Sequence, residues 1–230
     1  MKNIVIGIEG MVGAGKTSIC NELLNFVPNS IFIDGSKIYR GLVEALHQSN
    51  IDMSKLNDVP NLTPFELLKK LNVEFKIEDR KTVIYINGNK VSDDTMKSMQ
   101  NSIGVSKMAN MADNSKLFTF AYHIVDEYSK KYNLIVSARD LVKIYPEMDL
   151  HIFITASLDE RVKRRYNQLC KKYTIDEVRN TVIQRDILHE KSGFNEISNK
   201  TVKIDVTNDI GANESAKKIY EIYIKKLIEK

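Results

Sequence analysis

The chain has 230 residues, 43% apolar and 28% charged, with 34 basic against 30 acidic side chains and a net charge of +4. That is the make-up of an ordinary soluble globular protein, and the lack of a dense Lys/Arg block argues against a nucleic-acid binder. Cys20 and Cys170, far apart in the sequence, give neither a disulfide framework nor metal-ligand spacing, and no apolar run is long enough to span a membrane.

The first apolar run, residues 4–8, is short and continuous, as in a parallel strand covered on both faces. A helix is predicted over 17–27, with Ile19, Leu23 and Leu24 on one stripe, then a strand over 30–33 and a helix over 37–47. This alternation indicates an α/β fold. The rhythm breaks after residue 60. Thr63-Pro64-Phe65-Glu66 is a helix start, strands follow over 73–77 and 82–86, and Asn87-Gly88 sits where a tight hairpin turn would. A helix over 93–110 closes this stretch. Antiparallel strands are foreign to a doubly wound sheet, so 60–112 is read as an inserted subdomain. The α/β pattern resumes with a helix over 115–130, strands over 134–136, 151–155 and 202–206, and helices over 158–169, 175–190 and 213–229. The expected fold is a three-layer α/β core with a central parallel sheet, built from 1–59 and 113–230.

Between the first strand and the first helix stands Gly10-Met11-Val12-Gly13-Ala14-Gly15-Lys16-Thr17, which fits the P-loop pattern. Glycine lets phosphate approach the main chain and permits the positive φ angles that turn successive N–H groups inward. The helix that follows adds its positive N-terminal end. Lys16 offers a point charge to the β- and γ-phosphates, Thr17 a hydroxyl to magnesium, and Ala14 and Ser18 complete the cradle. The plainer alternative is a glycine-rich turn; its placement between strand and helix favours the phosphate site.

Three further stretches bear on the reaction. DGSKIYR, residues 34–40, follows the second strand at the edge where such sheets bind ligands. Its Arg40 is either a ligand group or an exposed helix charge. Ser137-Ala138-Arg139-Asp140 ends the third core strand at the same edge, as a binding pair or a surface pair. In DERVKRR, residues 159–165, Arg161, Arg164 and Arg165 share a helix face, and four cations in five residues repel one another unless an anion lies against them. A solvated basic face is the alternative.

With these stretches in hand, the chain resembles a bacterial cytidylate kinase over nearly its whole length. GMVGAGKT, DGSKIYR, VIYINGNKVS, SARD and DERVKRRY stand in the order of that family's P-loop, D-S-G-x-x-Y-R stretch, hairpin-bearing insert, G-R-D motif and arginine-rich lid. The resemblance implies a P-loop kinase fold, a lid at about 157–190, and an acceptor-binding role for the insert. It implies transfer of a phosphoryl group from ATP to CMP or dCMP with magnesium, in a cytoplasmic monomer. Ser36, Tyr39, Arg40 and Arg139 would hold the acceptor phosphate. Asp140 would read the cytosine amino group, Ser106 the base, and Arg185 the nucleoside side. Lys16, Arg161, Arg164 and Arg165 would neutralise the transferring group.

The sequence also departs from the family pattern. Gly35-Ser36 reverses the family's serine and glycine, and Ser137-Ala138 replaces its aspartate and glycine beside the magnesium neighbourhood. Lys116 is the nearest residue to a base-contacting arginine, without the planar fork. Past Arg185 the chain offers His189 and Ser192 in place of aspartate and arginine. Two other readings follow: a P-loop kinase with another small phosphorylated acceptor, and a nucleotide-binding regulatory protein with little transfer activity.

Overall fold

The computed structural model describes residues 3–50, 66, 69–97, 101, 115–169, 173–191 and 197–229. In chain order the elements begin β1 (Val5–Gly10), α1 (Lys16–Leu23), β2 (Ser30–Asp34) and α2 (Gly35–Gln48). Then come β3 (Val73–Glu78), β4 (Lys81–Ile86), β5 (Asn89–Lys90), α3 (Asp93–Lys97) and α4 (Ser115–Ser129). The remainder is β6 (Asn133–Ser137), α5 (Leu141–Ile144), β7 (Leu150–Thr155), α6 (Leu158–Gln168), α7 (Ile175–Lys191), β8 (Val202–Asp205), α8 (Ala212–Ile219), a π-helical turn (Tyr220–Ile224) and α9 (Lys225–Ile228). The chain separates into two compact units, Met1–Phe32 with Ser129–Lys230, and Ile33–Tyr128.

In the first unit β1 lies between two parallel neighbours. Ile6 stands opposite Ile135 of β6, and Ile8 opposite Ile152 of β7. β8 extends the array beyond β7, with Ile204 beside Ile154. An interior parallel strand is covered on both faces, which is why β1 reads as unbroken apolar sequence until Glu9. Its core joins Ile6, Ile8, Ile152 and Ile154 to the inner stripe of α1, formed by Ile19, Cys20 and Leu23.

α1 is shorter than the pattern predicted. The Asn25 and Phe26 N–H groups turn back to the Glu22 and Leu23 carbonyls in a tighter coil, ahead of Pro28, which has no N–H to continue a helix. The single helix expected over 213–229 is instead α8, the π turn and α9. Ile219 and Ile224 are both fully buried, and residues five apart face one way only where the helix widens. The same turn stacks Tyr220 on Phe26, with ring centroids 5.8 Å apart.

In the second unit, Asp34 caps α2 by accepting from the Ser36 N–H at 3.0 Å. Ile38, Leu42, Ala45 and Leu46 form the buried stripe of α2. Gly41 lies against β4 so closely that a Cβ there would stand 2.4 Å from Ile84 Cδ1. β3 and β4 pair antiparallel, Val73 opposite Ile86 and Glu78 opposite Lys81, as the alternating pattern predicts. Their turn is Asp79-Arg80, both at positive φ, which nothing in the sequence marked. Asn87-Gly88 turns β4 into the two-residue β5. Of the helix predicted over 93–110, α3 is the start; its residues 98–100 and 102–110, like the helix start at Thr63-Pro64, lie outside the described residues.

Candidate functional site

The P-loop runs from the last residue of β1 to the first of α1. Gly10, Gly13 and Gly15 have φ of 148°, 79° and 94°, angles that L side chains rarely adopt. Space is also short. A Cβ on Gly10 would lie 2.1 Å from the Ile154 carbonyl oxygen, and one on Gly13 2.9 Å from that of Arg161. Met11 N–H donates to Ile154 O at 3.1 Å, which ties the loop to β7. Lys16 folds back over the loop, and its Nζ donates to Gly10 O at 2.8 Å and Met11 O at 2.9 Å. Thr17 and Ser18 are exposed in the first turn of α1.

Burial pushes the Lys16 ammonium down to about 8; Arg139 and Arg185 push the same way, against Cys20 and Glu9. The ammonium therefore still carries its charge at neutral pH.

Glu9, just before Gly10 and 3% exposed, is a part of the site that motif matching passed over. Its signal was an acidic residue closing an apolar strand. Burial pushes its carboxyl up to about 7, although the Leu141 N–H donates to it and favours the charged form. That hydrogen bond ties β1 to the start of α5 and so to the turn carrying Arg139 and Asp140. His151 lies on the other side, its Nε2 3.8 Å from Glu9 Oε2 and its Nδ1 2.9 Å from the Thr201 hydroxyl. Burial pushes His151 down to about 4, so its ring is neutral at pH 7.

Ser137 is buried at the end of β6, Ala138 is half-buried and Arg139 exposed. Asp140 follows with φ of 55° and heads α5, where its carbonyl accepts from the Lys143 and Ile144 N–H groups, both at 2.9 Å. Its carboxylate is buried, 3.8 Å from Lys143 Nζ.

The arginine-rich segment forms α6, which Ser157 caps by accepting from the Glu160 N–H. Arg161 is 4% exposed. Its Nε donates to Ala156 O at 3.0 Å, and its Nη1 to Val12 O at 3.1 Å and to Asp186 Oδ2 on α7 at 2.7 Å. Arg164 donates from Nε to Glu160 at 3.0 Å, from Nη1 to Ala14 O at 3.1 Å and from Nη2 to Val206 O at 2.8 Å. Arg165 donates to Gln168 Oε1 at 2.7 Å. Arg161 and Arg164 are thus met by carboxylates and P-loop carbonyls, and Arg165 by an amide. Arg185 is half-buried on α7, one residue before Asp186.

In the second unit the Ser36 hydroxyl donates to Asp34 Oδ1 at 2.7 Å, and Arg40 Nη1 to Met96 O at 3.2 Å. Tyr39 is half-buried beside them on α2. Ser106 and Ser192 lie outside the described residues, as do the side chains of Lys116 and His189.

No group of three or more His, Cys, Asp or Glu among the described residues is arranged to hold a metal ion. Magnesium in a phosphate-transfer site takes few protein ligands and leans on substrate phosphates and water. The exposed Thr17 hydroxyl at the helix start fits that demand.

The family model described as "Cytidylate kinase" matches residues 6–225. A cytidylate kinase of Caldicellulosiruptor saccharolyticus is 29% identical over 98% of this chain and 97% of its own. One from Clostridioides difficile is 26% identical over 90% of this chain and 92% of its own. Among solved structures, a shikimate kinase from Acinetobacter baumannii in complex with shikimate aligns over 97% of this chain and 94% of its own, at 12% identity and a TM-score of 0.42.

Proposed function

The chain belongs to the cytidylate kinase family, and from that premise we propose that it transfers the γ-phosphoryl group of ATP to CMP or dCMP, giving CDP or dCDP. The observation that carries this is the family match over residues 6–225, which takes in the P-loop, the turn at 137–140 and the arginine-rich helix together. Another phosphorylated acceptor, or a nucleotide binder with little transfer, gains no support from the family or its named relatives.

In this reading the backbone N–H groups of residues 13–18 and Lys16 bind the ATP phosphates. An acceptor phosphate oxygen attacks the γ-phosphorus in line, the bond to the β–γ bridging oxygen breaks, and ADP leaves. The protein's task is positioning and charge neutralisation, since two anionic groups must be brought together. Thr17, with Ser137, would hold magnesium, which would supply positive charge to offset that of the phosphates. Arg40, Arg139, Ser36 and Tyr39 hold the acceptor phosphate. Asp140 accepts from the cytosine amino group, with Ser106 and Lys116 on the base and Arg185 on the nucleoside side. Residues 60–112 form the acceptor-binding subdomain, 1–59 and 113–230 the core, and 157–190 the lid, which excludes water from the transfer. Of the three lid arginines expected on the transferring group, Arg161 and Arg164 are held on P-loop carbonyls, which leaves that role to Arg165. The enzyme works as a cytoplasmic monomer on nucleotides, without nucleic acid or membrane.

The test is product analysis with Mg-ATP and CMP, dCMP, UMP or AMP. CDP and ADP should form in equal amounts, with CMP or dCMP preferred. Equal or absent turnover on all four acceptors would remove the assignment.

A further inference from the structure

Two arginines of α6 grip the P-loop from behind. Arg161 Nη1 holds Val12 O at 3.1 Å, and Arg164 Nη1 holds Ala14 O at 3.1 Å. In a trans peptide the carbonyl and the following N–H point in opposite directions. Fixing the Val12 carbonyl therefore fixes the Gly13 N–H, and fixing the Ala14 carbonyl fixes the Gly15 N–H. Both glycines have positive φ, and both N–H groups lie in the stretch that faces phosphate. A glycine-rich loop loses more conformational freedom on ordering than any other, so external holds on its peptide planes matter here.

Each guanidinium is itself anchored. Asp186 Oδ2 accepts from Arg161 Nη1 at 2.7 Å, and Ala156 O from its Nε. Glu160 accepts from Arg164 Nε at 3.0 Å, and Val206 O from its Nη2 at 2.8 Å. α6 is seated so closely that a Cβ on Gly13 would stand 2.9 Å from Arg161 O. Buried as they are, the Arg161 hydrogen bonds are of the charge-assisted kind, shielded from water.

We propose that Arg161 and Arg164, anchored by Asp186 and Glu160, are positioning residues that preset two P-loop peptide planes for the triphosphate. Asp186, on α7 next to Arg185, thereby acts on ATP without touching it. The inference rests on the reading of the chain as an ATP-dependent transferase.

Calorimetry of Mg-ATP binding tests it, run beside steady-state CDP formation by Asp186→Asn, Arg161→Lys, the double variant and Glu160→Gln. Asp186→Asn should raise the Mg-ATP dissociation constant about tenfold, the change expected when one charge-assisted hydrogen bond is weakened. kcat at saturating ATP and KM for CMP should move less than about twofold, because the loop binds ground and transition states alike. Arg161→Lys should raise the same dissociation constant by a similar factor, the double variant should add nothing further to it, and Asp186→Glu should recover part of the affinity. Glu160→Gln, at a partly exposed pair, should give a smaller rise in the same constant and stands in if Asp186→Asn does not fold. Unchanged ATP affinity in folded variants, or a loss confined to kcat as expected of a guanidinium on the transferring phosphoryl group, would overturn the proposal. Wild-type protein that binds Mg-ATP but makes no CDP would instead remove the transfer reading and leave the binding test standing.

Discussion

The P-loop and the β4–β5 hairpin turn carry glycine at positive φ for different reasons. In the P-loop, Gly10 and Gly13 are required twice over, by backbone angle and by the Ile154 and Arg161 carbonyls pressed against them. At the hairpin turn, Gly88 has φ of 76° and open space, with nothing within 4 Å of where a Cβ would sit. One turn is built into its surroundings, and the other merely reverses the chain. The first ties its conformation to the parallel core and to α6, which suits a binding surface that must hold its shape.

The comparison is broken most directly at Gly10. Gly10→Ala drives a methyl into β7 backbone, so a cost above about 4 kcal/mol, or roughly 10 °C in melting temperature, is expected from thermal denaturation. A variant melting within about 3 °C of wild type would show the loop to be no more confined than the hairpin turn. Next in size, Lys16→Met should lower CDP formation about 10²–10³-fold in a protein whose circular dichroism is unchanged, as for loss of a group aimed at developing charge. Activity within tenfold of wild type would mean that Lys16 serves only the Gly10 and Met11 carbonyls.

A smaller effect sharpens the contrast in electrostatics. Glu9 rises from 4.5 to about 7 on folding, chiefly through burial. The folded state then holds this proton more tightly than the unfolded chain. The contribution of Glu9 to stability is fully present below pH 4.5 and is lost as pH rises through about 7. The shift corresponds to about 3 kcal/mol at most. Glu9→Gln keeps an acceptor for the Leu141 N–H and should gain stability relative to wild type between pH 5 and pH 8, read from urea melts. A pH-independent difference would place the titration elsewhere. Smallest of all, Gly88→Ala should cost about 1 kcal/mol, from the angle alone, with CDP formation untouched.

The P-loop was legible because its residue types, order and flanking elements all answer one demand, that of phosphate on main-chain amides. The paired strands β3 and β4 were legible through period-two alternation, with Thr82, Ile84 and Ile86 turned inward. The turn between them was not, since Asp79-Arg80 holds two non-glycine residues at positive φ that only the pairing register demands. The four-residue α5 escaped because it is too short to show a period. Arg161 illustrates the deeper limit. Helical spacing places it with Arg164 and Arg165, but its burial depends on Asp186, twenty-five residues away on another helix. Glu9 was hidden likewise, for its partners Leu141 and His151 meet it only in the folded chain.

Cys20 sits one turn beyond Lys16 on α1, its thiol wholly enclosed. An alkylating reagent can reach that sulfur only while α1 lifts off the parallel strands. The rate at which mass spectrometry sees Cys20 modified is therefore a clock for transient opening of the helix behind the phosphate cradle. Saturating Mg-ATP should slow that clock in proportion to its binding strength, giving a handle on the cradle that needs no turnover at all.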